Sequence, residues 1–201
     1  MASRLVMDSL AELAPTLGGI ASAPDLHEEE RATDRLTTMA EQAHASILTH
    51  AAQHPSLYGM GTTLVMAHLL PLPKPRLLVL NVGDSRAYLV RAGTLTQLTR
   101  DHTLIEEYVR DGRLTPAQAA CHPNRHVLTR AMGLAPHLES DLFFFDLLDG
   151  DLLLLCSDGL TKMLTDERIL QTVRPHRHIP SLATQALIHT ALDVGGIDNV
   201  T

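Results

Sequence analysis

Residues 77–98 read LLVLNVGDSRAYLVRAGTLTQL, and this stretch decides the fold class. Three short aliphatic runs, 77–82, 87–90 and 94–98, are separated by Gly83-Asp84-Ser85 and by Ala92-Gly93. Apolar runs of strand length punctuated by glycine turns predict an antiparallel meander. Working outward, 62–66 is a further β-like run, set off by the proline-bearing loop PLPKP at 71–75. On the other side 142–147 and 152–156 read as strands, and Asp149-Gly150 between them predicts a hairpin.

Helical patterns flank these strands. Residues 2–13 place Leu5, Val6, Leu10 and Leu13 on one face. After Gly18-Gly19 and Pro24, Asp25 with Glu28 marks the start of a second helix. Its small and apolar positions, Leu36, Ala40, Ala43, Ile47 and Ala51, recur at three and four residues until His54-Pro55. Residues 102–123 turn polar and helical: Thr103 with Glu106 opens one helix that Gly112 stops, and Thr115-Pro116 opens a shorter one. Residues 165–173 and 182–192 complete the helices. Helices, strands, a helical insert, strands and helices again give an α+β fold with helices packed over sheets.

The chain has 201 residues, 45% of them hydrophobic and 19% charged, which is a globular composition. With three Phe, three Tyr and no Trp, the core is aliphatic. A net charge of −7 argues against a broad nucleic-acid surface. With 12 His, that charge is expected to move towards neutrality near pH 6.5. The densest apolar segment, Leu152–Cys156, is far shorter than the roughly 20 residues of a membrane span, and the acids in MASRLVMDSLAEL do not suit a signal peptide. Cys121 and Cys156 sit in unrelated contexts with no metal-ligand spacing, so a disulfide framework is excluded and a reducing cytoplasm is expected.

Three aspartates stand at the margins of strand-like segments. Asp84 follows 77–82, Asp158 follows 152–156 and Asp198 precedes Val200. Gly83 and Gly159 lie next to two of them, where glycine permits a sharp turn or a close backbone approach. Two readings stay open at this point. Gly-Asp and Asp-Gly can be ordinary turns, or the carboxylates converge in the folded chain around a hard cation, for which all-oxygen ligands suit Mg²⁺ or Mn²⁺.

At these same residues the chain resembles the bacterial metal-dependent protein phosphatase (PPM, type 2C) family of serine/threonine phosphatases. The stretches that carry the resemblance run in family order: Gly61-Thr62-Thr63, Asn81-Val82-Gly83-Asp84-Ser85-Arg86-Ala87-Tyr88 and Leu98-Thr99-Arg100-Asp101-His102-Thr103. They continue with His122-Pro123-Asn124-Arg125-His126-Val127-Leu128-Thr129-Arg130-Ala131, Cys156-Ser157-Asp158-Gly159-Leu160-Thr161 and Asp198-Asn199-Val200-Thr201.

The resemblance implies a two-sheet antiparallel β-sandwich flanked by helix pairs, a single domain over 1–201 with a flap-like insert at 102–126. It implies that Asp158 and Asp198 belong to a two-metal centre of Mn²⁺ or Mg²⁺, and that Asp84 holds an accessory ion. In such enzymes the metals activate a water for in-line attack on phosphorus, and the substrates are proteins phosphorylated on serine or threonine. The family also carries an Asp-Gly-Met-Gly-Gly segment whose aspartate bridges both metals, and no such segment occurs in the 201 residues. The expectation is therefore a phosphatase domain truncated at both ends. The alternative is a non-catalytic, degenerate domain that binds proteins.

Other polar residues invite structural readings. Arg86 is expected to pair with a carboxylate, Asp101 to serve a turn, and Cys156 to be a small core residue. His102, His126, His176 and His178 are expected to be solvated loop residues, and Glu28-Glu29-Glu30 an exposed first helical turn.

Overall fold

A computed structural model of the chain describes residues 1–13, 27–70 and 74–201. The expectations at Gly18-Gly19, Pro24 and Asp25, and most of the proline loop, lie outside them. The chain divides into two compact units, Met1–Asp84 with Asp101–Leu147, and Ser85–Arg100 with Leu148–Thr201.

The first unit holds helices α1 (Ala2–Leu13) and α2 (Glu28–Gln53), strands β1 (Leu64–Leu70) and β2 (Arg76–Val82), and, numbered in chain order, helices α3 (Leu104–Arg110) and α4 (Pro116–Ala120) and strand β5 (Asp141–Asp146). Its sheet is antiparallel in the order β1-β2-β5. Strand β2 is the middle strand and is buried from Leu77 to Val82, which is why its sequence runs apolar on both faces instead of alternating. Leu64, Leu70, Leu78, Leu80 and Val82 pack with Leu36, Met39, Ala40, Ala43 and Ile47 of α2 and with Val6 and Leu10 of α1. The small side chains at 32, 40 and 43 put the α2 backbone close to that layer. Fully burying each large aliphatic contributes about 1.5–3 kcal/mol.

The second unit holds β3 (Arg86–Arg91), β4 (Thr94–Gln97) and β6 (Leu152–Cys156) with helices α5 (Asp158–Thr161), α6 (Asp166–Val173) and α7 (Pro180–Asp193). Its sheet is antiparallel in the order β4-β3-β6. Tyr88, Val90 and Cys156 pack against Leu160, Leu164, Ile169, Val173, Ala183, Leu187 and Ala191. Thr165 caps α6 by accepting the Arg168 N–H, and Thr115 with Gln118 forms a full capping box on α4.

The α+β class and its two antiparallel sheets are as expected, but two connections are not. Strands β2 and β3 do not continue one meander: they are central strands of different sheets. The reason lies in Gly83, whose N–H goes to the His102 ring and whose carbonyl accepts from the His102 N–H, leaving nothing for a hairpin. Likewise β5 and β6 do not form a hairpin about Asp149-Gly150. The Leu147 N–H goes to the Pro75 carbonyl beside β2, while Asp151 closes the turn on the Leu148 N–H and is gripped by Arg91 of β3 at 2.9 and 2.6 Å. The first strand also runs later than 62–66, because all of Leu64–Leu70 is paired with β2. Among the described residues, no helix is long and apolar enough to cross a membrane.

Candidate metal centre

In the second unit β6 ends at Cys156 and the chain turns at once into the short helix α5, so Asp158 stands in its first turn. Ser157 stitches the 198–201 stretch to this corner. Its N–H donates to the Thr201 carbonyl at 3.1 Å, its hydroxyl donates to the Asn199 carbonyl at 3.3 Å, and the same oxygen accepts from the Thr201 N–H at 3.2 Å. Gly159 makes the approach possible, since a Cβ there would lie 2.2 Å from the Asn199 carbonyl oxygen and 2.9 Å from its carbon. The sequence motifs Ser-Asp-Gly and Asp-Asn-Val-Thr are thus two sides of one backbone contact.

That contact brings Asp158 and Asp198 onto one cation. Lys162, the residue after α5, is four positions beyond Asp158, so its side chain reaches back along the helix over it. Its Nζ lies 2.5 Å from Asp158 Oδ2 and 3.1 Å from Asp198 Oδ2. Partial burial acts to lower the Lys162 pKa, but the two carboxylates outweigh it and hold the group above its ordinary value. Asp198 is held below the ordinary carboxylate range, first by the Asn199 N–H and then by Lys162. The side chains of Lys162, Asp158 and Asp198 are 30%, 31% and 44% exposed, so water screens the contacts. Pairs of this kind contribute about 0–1 kcal/mol each.

In the first unit Asp84 follows Gly83, which has φ +101° and packs so closely on Thr63 that a Cβ would lie 2.3 Å from its Cγ2. His102 holds this turn. Its Nδ1 accepts the Gly83 N–H at 3.1 Å and its own N–H donates to the Gly83 carbonyl at 3.0 Å. Since Nδ1 accepts, the ring proton sits on Nε2, which faces Asp141 Oδ2 at 3.3 Å. Arg130 donates to the other oxygen of Asp141 at 2.8 Å. Burial pushes His102 below its ordinary pKa against the pull of Asp141, and Asp141 itself is held low by His102 and Arg130 despite its own burial. His102 is only 4% exposed, which corrects the expectation of a solvated loop histidine: its ring is needed inside to pair a buried backbone N–H. His126 is exposed, as expected. Arg86 reaches a carboxylate through Tyr88, donating to its hydroxyl at 2.8 Å while that hydroxyl donates to Asp166 at 3.0 Å.

Of the expected metal ligands, Asp158 and Asp198 share one corner and Asp84 belongs to the first unit. Among the described residues no group of three or more His, Cys, Asp or Glu side chains is placed to hold a metal ion. The donors at the corner do fit a hard divalent cation, because two carboxylate oxygens converge on one cationic point. Lys162 escaped the sequence reading although its signal was present, a cationic residue four beyond Asp158. Ser157 was visible only as part of the Ser-Asp-Gly motif, and Asp141 carried no signal at all.

The fold of two antiparallel sheets with helices is shared with phosphatases of known structure. It matches the Mycobacterium tuberculosis serine/threonine phosphatase PstP/Ppp with a TM-score of 0.80 and 37% identity, covering 99% of this chain and 78% of that one. The S. agalactiae serine/threonine phosphatase gives 0.81 and 30%, covering 96% and 76%. In sequence, residues 13–110 match the family Protein phosphatase 2C. The serine/threonine phosphatase stp of Listeria monocytogenes is 34% identical over 201 residues, which is 100% of this chain and 74% of the relative. The chain belongs to the protein phosphatase 2C family, whose members are metal-dependent serine/threonine phosphatases. It spans 62% of the Listeria welshimeri phosphatase, to which it is 38% identical over 161 residues, 80% of this chain. It spans only 35% of M. tuberculosis PstP, at 40% identity over 187 residues, 90% of this chain. A solved PstP catalytic domain, 35% identical with a TM-score of 0.77 over 99% of this chain and 77% of that one, holds two manganese ions.

Proposed function

We propose that this chain hydrolyses phosphoserine and phosphothreonine on proteins, with Mn²⁺ or Mg²⁺ held by Asp158 and Asp198 and an accessory ion at Asp84. The observation that carries the reading is the convergence of Asp158 and Asp198 on one cationic point, in a member of the phosphatase 2C family. A divalent ion bound there would supply Lewis-acid chemistry, making a water more acidic and offsetting charge on the phosphoryl oxygens. The chain's own part is to hold the two carboxylates ready. Ser157 and Gly159 fix the backbone of 198–201 beside Asp158, and the Asn199 N–H keeps Asp198 ionised. The Asp84 assignment rests on the family motif. The same reading makes 1–201 part of one phosphatase domain, with 102–126 as its flap, acting on phosphorylated proteins in the cytoplasm. The free thiols of Cys121 and Cys156 suit that compartment.

The test is phosphate release from a phosphothreonine peptide, by the chain and by Asp158→Asn, with and without Mn²⁺. Release that needs Mn²⁺ and vanishes in the variant is expected. Equal release by the variant, or release indifferent to Mn²⁺, overturns the reading. One observation favours a second reading, a non-catalytic protein-binding domain: both carboxylates are already satisfied by Lys162. A folded chain that binds the phosphopeptide without releasing phosphate would establish it.

A further inference from the structure

We propose that Lys162 is a built-in competitor for the metal centre: its ammonium joins Asp158 and Asp198 when no divalent ion is bound, must leave before one binds, and so sets the metal concentration the chain requires. The inference rests on Asp158 and Asp198 being metal ligands. Three observations carry it. First, the two cations claim the same oxygens. Nζ sits 2.5 Å from Asp158 Oδ2 and 3.1 Å from Asp198 Oδ2, while Mg²⁺ binds carboxylate oxygen at about 2.0–2.1 Å, so joint occupancy would press two positive charges together. Second, the lysine is free to go. It stands at the end of the short helix α5, with its side chain 30% exposed on a flexible four-carbon stem.

Third, the corner does not depend on it. The three hydrogen bonds of Ser157 keep 198–201 in place without Nζ, and the Asn199 N–H on Oδ1 orients the Asp198 carboxylate. Removing the ammonium therefore leaves two uncompensated carboxylates in their present positions. The apparent metal affinity is the intrinsic one reduced by the fraction of chains whose carboxylates are free of Nζ. A merely structural lysine predicts the opposite sign, since its loss would loosen the corner and weaken metal binding.

The experiment is a Mn²⁺ titration followed by the paramagnetic resonance signal of free Mn²⁺. It compares the chain with Lys162→Met, Lys162→Arg and Asp158→Asn, each checked for folding by circular dichroism. Lys162→Met is expected to lower the Mn²⁺ dissociation constant about three- to tenfold, with Lys162→Arg close to the unaltered chain and Asp158→Asn weaker. Unchanged or weaker binding by folded Lys162→Met, with Asp158→Asn also weaker, overturns the inference and leaves the metal reading standing. Unchanged binding by Asp158→Asn, or no binding by any chain, overturns both.

A second measurement needs no variant. Acetic anhydride labelling of the unaltered chain, read by peptide mass with Lys74 as internal reference, is expected to rise severalfold at Lys162 when Mg²⁺ is added. Labelling that stays level or falls contradicts the displacement.

Discussion

The two aspartate corners are built by opposite means. At Asp84 a buried histidine grips the preceding glycine twice, its imidazole accepting the glycine N–H and its backbone N–H donating to the glycine carbonyl, and the ring is itself backed by Asp141 and Arg130. At Asp158 and Asp198 the backbone is fixed by Ser157, but the carboxylates meet on an ammonium that water reaches. The first arrangement depends on close fit around a buried histidine, so it tolerates little change and little variation in pH. The second depends on charge, so another cation can replace the one it has. A corner that must keep its shape and a corner that must exchange its occupant need these different devices.

Breaking the first corner should have the largest effect. Gly83→Ala forces a side chain into a φ of +101° and a Cβ to within 2.3 Å of Thr63 Cγ2. The expected cost is about 4 kcal/mol, read from urea unfolding. His102→Ala leaves the Gly83 N–H without its acceptor and opens a cavity, for an expected loss of about 3 kcal/mol in the same measurement. Gly159→Ala attacks the second corner by pushing the Asn199 carbonyl away. It should cost about 2 kcal/mol and weaken Mn²⁺ binding, since Asp198 moves with it. An unaltered Mn²⁺ affinity would separate Asp198 from the metal centre.

The pH dependence sharpens the same contrast. His102 and His68 both have folded pKa values below the ordinary 6.5, through burial first and then nearby arginines, Arg130 and Arg35. For a histidine so depressed the unfolded chain binds the proton more readily. Its contribution is complete above about pH 6.5 and is lost as the pH falls through the folded value. Stability should therefore fall on acidification below 6.5, and less steeply in His102→Gln, as denaturant midpoints across that range will tell. The smallest effect is a gain. Ala92, at φ 49°, turns the β3–β4 hairpin together with Gly93, and Ala92→Asn should add about 0.5–1 kcal/mol while leaving both corners alone.

Much of the fold was legible because its signals are local. The periodicity of α2, the threonine caps at 103 and 115, and the Ala92-Gly93 turn each act within a few residues. Sheet membership was not legible in this way. Asp149-Gly150 and Gly83-Asp84 carry hairpin-like chemistry, yet the flanking strands take their hydrogen bonds from partners far off in sequence, β2 from β5 and β3 from β6. The site divides similarly. The proposed ligands Asp158, Asp198 and Asp84 are visible from motifs, whereas the role of His102 depends on a tertiary contact with Gly83 that no spacing announces. Lys162 lay in plain view four residues past Asp158, but its meaning required Asp198 on the other side.

The claim that Asp158 and Asp198 form a cation-exchange site is met most squarely by a crystal grown with Mn²⁺ and measured for anomalous scattering. The expected result is a manganese peak bonded to carboxylate oxygens of Asp158 and Asp198, with the Lys162 ammonium withdrawn into solvent. Lys162 still seated between the two carboxylates, with no manganese bonded to either, would contradict it.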